Sequence, residues 1–122
     1  MRRLLLGLLL LLPFSMAAHS QSQTFNARAV VNASASGDNT VIAGVAGKSI
    51  YVYGFDLSLA QSTTFTLKSG ASTSLTGPMT LNAYSKSATY APAYWVTNPG
   101  DNLVINLGSA IQCSGTIWYR QE

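Results

Sequence analysis

Between Lys48 and Leu81 the chain reads KSIYVYGFDLSLAQSTTFTLKSGASTSLTGPMTL, and this stretch admits few folds. Phe55, Leu57 and Leu59 alternate with Asp56 and Ser58, and Phe65 and Leu67 alternate with Thr64, Thr66 and Lys68. Side chains two apart share one face of a strand, so the alternation predicts half-buried strands over Ile50–Leu59 and Thr63–Lys68. Ile50 to Tyr53 is apolar at every position until Gly54 resets the pattern, as a β-bulge would. Ser69-Gly70 and Thr76-Gly77-Pro78 punctuate the strand ends, because Gly tolerates positive φ and Pro fixes its own.

The flanking segments supply further strands. Phe25 to Val31 (FNARAVV) places Phe25, Ala27, Ala29 and Val31 on one face, and Asn32 to Thr40 (NASASGDNT) has the composition of a loop. A strand is expected over Val41–Val45 and a short one over Thr80–Tyr84. Ser85 to Gly100 is irregular. Leu103, Ile105 and Leu107 alternate with polar or outward residues, as do Ile111, Cys113, Gly115, Ile117 and Tyr119. Nothing after residue 20 keeps a helical period over three turns. The expectation is an all-β, antiparallel β-sandwich, jelly-roll-like, with seven to eight short strands.

The first twenty residues obey a different rule. Arg2 and Arg3 precede an apolar run from Leu4 to Leu12, ended by Pro13 and followed by small residues. The run is far shorter than the roughly 20 residues that span a bilayer, and the three-part pattern is that of a secretory signal peptide. Cleavage after Ser20 or after Ala17 fits the small side chains there; an uncleaved anchor is the alternative. The expected organisation is a signal peptide over 1–20 and one domain over 21–122, exported to an extracellular or periplasmic location and free of the membrane after cleavage. From Gln21 onward five Lys and Arg face four Asp and Glu, and the basic residues are scattered singly. Such a surface does not neutralise a phosphate backbone, so nucleic acid is not an expected partner.

The arrangement DNT-VIAGVAGKSIYVYGFDLSLAQSTTFTLKSGASTSLTGPMTLNAY, followed by GDNLVINLGSAIQCSGTIWYRQ, resembles a group of short phage and prophage β proteins. In that group a "GK-I-V" strand, an "F-SG…LTGP" hairpin and a final "G-L-Y" strand recur in this order. The resemblance spans Asp38 to Gln121 and is most specific over Phe65 to Pro78. It implies a virion-associated or uncharacterised β module with no assigned catalytic residue. The signal peptide departs from that group, since a part assembled in the cytoplasm needs no export; a domain of this type reused for export accommodates both features.

The residues for catalysis are sparse. A nucleophilic triad needs a base beside Ser or Cys, and the only histidine, His19, leaves with cleavage after Ser20. Zinc needs grouped Cys, His or carboxylates, and paired acids for glycoside hydrolysis would have to come from Asp38, Asp56 and Asp101. The chain is therefore expected not to be an enzyme and to need no cofactor. Cys113 has no second cysteine to pair with; its parity with Ile111 and Ile117 places it as a small buried residue. Gly37-Asp38-Asn39 and Gly100-Asp101-Asn102 repeat a motif that would supply oxygen ligands for calcium if the two loops met. Turn capping by Asp and Asn is the simpler account.

Aromatic residues carry the remaining candidates. Tyr84, Tyr90, Tyr94 and Trp95 form a candidate ligand platform on which a surface glycan would stack; the alternative is that they close the end of the sandwich or sit in a subunit contact. Tyr51 and Tyr53 lie opposite Ile50 and Val52 in parity, and Trp118 lies on the polar side of the last strand. These three form a candidate interface for a homo-oligomer, with a trimer expected first. The function expected is an exported, non-catalytic, structural, assembly or adhesive module of phage-related type; the alternative is a carbohydrate-binding module using exposed Tyr and Trp.

Overall fold

The computed structural model describes residues 27–83, 86–89, 93 and 95–122; the segment read as a signal peptide and the tyrosines Tyr84, Tyr90 and Tyr94 lie outside them. Ten strands are present among the described residues: β1 (Ala27–Ala33), β2 (Gly37–Ile42), β3 (Ile50–Leu59), β4 (Thr63–Ser69), β5 (Thr73–Ser74), β6 (Met79–Leu81), β7 (Lys86–Thr89), β8 (Trp95–Val96), β9 (Leu103–Leu107) and β10 (Cys113–Gln121).

They pair antiparallel in two sheets. The first runs β1-β10-β3-β7, with β8 also on β3; the second runs β2-β9-β4-β5, with β6 also on β4. Along the chain the strands pass back and forth between the two sheets, so the sandwich has the jelly-roll order. The strands beyond the expected seven or eight are short. β5 and β6 share one edge of β4, separated where Thr76-Gly77-Pro78 breaks the ladder. At that break the Thr76 hydroxyl accepts the Leu67 N–H at 3.0 Å, so a side chain stands in for the missing strand partner. β7 and β8 fall within the stretch read as irregular, where small polar residues give no alternation to follow.

The core is the alternation predicted from sequence, closed between the sheets. Ile50, Val52, Phe55, Leu57 and Leu59 from β3 meet Phe65, Leu67, Leu103, Ile105 and Leu107 from the second sheet. Phe55 and Phe65 pack across the gap with ring centroids 5.7 Å apart. Burial of each such side chain contributes about 1.5–3 kcal/mol, which is the main source of the fold's stability. Thr97 is buried and exchanges two bonds with the first residue of β3: its hydroxyl accepts the Ile50 N–H at 2.9 Å and its N–H donates to the Ile50 carbonyl at 3.0 Å.

The loop expected over Asn32–Thr40 is much shorter. β1 runs on to Ala33 and β2 begins at Gly37, because Gly37 pairs with Leu107 and Asp38 with Asn106. The Asn39 side chain closes the turn, its carboxamide donating to the Ala35 and Gly37 carbonyls at 2.8 and 3.0 Å. β2 then ends at Ile42, after a register shift between Thr40 and Ile42, rather than running on to Val45.

Candidate functional site

The two sheets present different outer faces. On the second, Asp38 of β2 forms an ion pair with Lys68 of β4 at 2.9 Å, spanning β9, and also accepts a bond from the Asn106 carboxamide of β9. The Asn106 bond, then the Lys68 ammonium, holds the Asp38 carboxyl below its ordinary value. This face satisfies its own charges.

The first sheet does not. Its outward positions include Arg28 and Val30 on β1, Asp56 and Ser58 on β3, and Ser114, Thr116 and Trp118 on β10. The register sets Arg28 across from Trp118, and Thr116 between Val30 and Asp56. Arg28, Asp56 and Trp118, with Ser58, Ser114 and Thr116, line an open depression of about 440 Å³. Gly115 contributes backbone to its lining. Among the described residues the side chains of Arg28 and Asp56 make no ion pair or hydrogen bond, and the Trp118 indole N–H has no partner. Val30, with 76% of its surface exposed, is the most exposed of the large apolar residues on this face.

The candidate interface residues are divided by a bulge. Trp118 pairs with Gly54 and Tyr119 with Val52, so Tyr53 is the extra residue. Gly54 therefore resets the alternation as expected, but Tyr53 ends up only 4% exposed and offers no area to a second subunit. Tyr51 stays on the outer face, half-buried, with the Arg120 guanidinium 5.3 Å from its ring centroid; Arg120 also pairs with Glu122. Trp118 is left as the aromatic ring at the depression.

Of the candidate ligand platform, Trp95 is described. Its ring stacks on Phe55 at 5.6 Å and 25° and packs half-buried against the core, so one of its faces belongs to the fold. Tyr84, Tyr90 and Tyr94 fall outside the described residues.

The repeated Gly-Asp-Asn loops lie at opposite ends of β9. Asp101 accepts the Ser69 hydroxyl at 2.7 Å and the Asn98 carboxamide at 3.1 Å, while the Asn98 N–H donates to Ser69 Oγ at 2.9 Å. Asn102 accepts the Gly44 N–H at 2.7 Å, where a Cβ on Gly44 would sit 2.1 Å from the Gly100 carbonyl oxygen. The first motif therefore caps the β1–β2 turn through Asn39, and the second caps its own turn and docks the β2–β3 connection. Among the described residues no group of three or more His, Cys, Asp and Glu is placed to hold a metal ion. Cys113 is buried in the core with a free thiol, and burial pushes its pKa up.

The sequence did not place Val30, Arg28 and Asp56 beside Trp118. Each is an ordinary outward residue on its own strand. Only the pairing of β1 and β3 on either side of β10 brings them to Trp118, and alternation within one strand carries no information about its neighbours. No protein-family model matches this chain, and no curated protein or solved structure matches it either.

Proposed function

We propose that this chain is an exported, non-catalytic β-sandwich module with a structural, assembly or adhesive role, of phage-related type, working as a homo-oligomer. The observation that supports this reading is the contrast between the two outer faces. The second sheet pairs Asp38 with Lys68 and Asn106 internally. The first leaves Trp118 half-buried, Val30 exposed and two opposite charges without partners among the described residues. Half-exposed Trp at the centre of a patch is typical of contact surfaces, where truncating one such ring costs about 2 kcal/mol or more of binding.

Sedimentation velocity tests the reading. Wild-type protein at tens of micromolar is expected to sediment as an oligomer, and Trp118→Ala is expected to shift it toward monomer with the far-ultraviolet dichroism of the sheet unchanged. A wild-type monomer at those concentrations overturns it. The second reading, a carbohydrate-binding module, draws on the same depression, where an indole stands beside the hydroxyls of Ser58, Ser114 and Thr116. Glycan-array binding that is lost on Trp118→Ala in a monomeric protein would favour it.

A further inference from the structure

We propose that the depression beside Trp118 receives a second copy of this chain, with Val30 of one protomer entering it and Arg28 of one protomer pairing with Asp56 of the other. This rests on the assembly reading above and names its partner and its contacts.

The knob and the hole lie on one face. Val30 stands on β1, an edge strand of the first sheet, and its cross-strand partner Thr116 is part of the wall of the depression. A small branched apolar side chain therefore stands next to an open depression that carries one indole, and it is too exposed to serve its own fold.

The charges narrow the partner. Arg28 and Asp56 both line the depression, both are exposed, and neither side chain has a partner among the described residues. A uniformly acidic partner would satisfy Arg28 and repel Asp56; a uniformly basic one would do the reverse. A surface that carries one charge of each sign is matched by itself. The ion pairs among the described residues, Lys68–Asp38 and Arg120–Glu122, leave these two groups unused. Because Arg28, Asp56 and the depression share one patch, the contact that uses them all is isologous: about a two-fold axis each protomer's Arg28 meets its partner's Asp56, and each Val30 enters the partner's depression.

Charge reversal decides it. Sedimentation velocity is run on wild type, Arg28→Glu, Asp56→Arg and the double variant at matched concentration and moderate salt. Both single variants are expected to weaken self-association about tenfold or more, since like charges then face each other across the contact. The double variant, which restores opposite charges between protomers, is expected to return to within about threefold of wild type. Val30→Asp is expected to weaken assembly without rescue by either reversal. A wild-type oligomer unmoved by the single reversals, or one not restored in the double variant, overturns this pairing and leaves the assembly reading standing. A wild-type monomer overturns both and assigns the depression to another occupant.

Discussion

Gly115 of β10 lies directly across from Leu57 of β3, and a Cβ on Gly115 would sit 1.9 Å from the carbonyl oxygen of Asp56. The two strands approach so closely at this point that no side chain fits, and the Gly115 φ of 150° is one that other residues rarely adopt. The backbone of Gly115 also borders the depression beside Trp118, so the close approach of β10 and β3 lies next to the contact face.

Gly115→Ala is therefore expected to lower the unfolding free energy by about 3 kcal/mol, through overpacking between two central strands. Urea melts check it. Gly77→Ala is the control: a Cβ there meets nothing within 4 Å, and the change is expected to stay within about 1 kcal/mol.

Ser69 is fully buried and joins β4 to the turn before β9 through Asp101 and the Asn98 N–H. Removing its hydroxyl leaves the Asn98 N–H without a partner and takes one of two bonds from Asp101, so Ser69→Ala is expected to cost about 1–3 kcal/mol. The melting temperature of the wild type is expected to be the same in EDTA and in calcium, because the Asp101 carboxylate works as a cap. A calcium-dependent melting temperature would contradict this.

Asp38 gives a pH dependence with a definite sign. Its folded pKa lies below the ordinary value of 3.8, held there by the Asn106 bond first and Lys68 second. The unfolded chain thus binds the proton more readily. The stabilisation is fully present above the unfolded pKa and is lost as pH falls through the folded one. Asp38 is well exposed, so solvent screening keeps the effect below about 1 kcal/mol and salt reduces it further. Melts between neutral and acid pH are expected to show a shallower decline for Asp38→Asn than for wild type.

Much of the fold could be read from the chain because burial on one sheet face imposes period two. Phe55, Leu57 and Leu59 announced β3, Phe65 and Leu67 announced β4, and Gly54 marked the bulge. β2 was partly missed, since Gly37 to Thr40 are small polar residues whose strand character comes from pairing with β9, not from their own side chains. Tyr53 was misplaced for a related reason: parity cannot be carried through a bulge whose extra residue is unknown. Trp118 kept its predicted face because β10 alternates without interruption from Cys113. Its neighbours Arg28 and Asp56 were invisible for want of the strand order.

The most direct test of the contact face is the accessibility of Trp118 itself. In a Trp95→Phe protein the indole emission comes from Trp118 alone, and acrylamide quenching can be followed through a dilution series. The account predicts strong protection at tens of micromolar, lost on dilution as the subunits part. Quenching that is strong and the same at every concentration would contradict it.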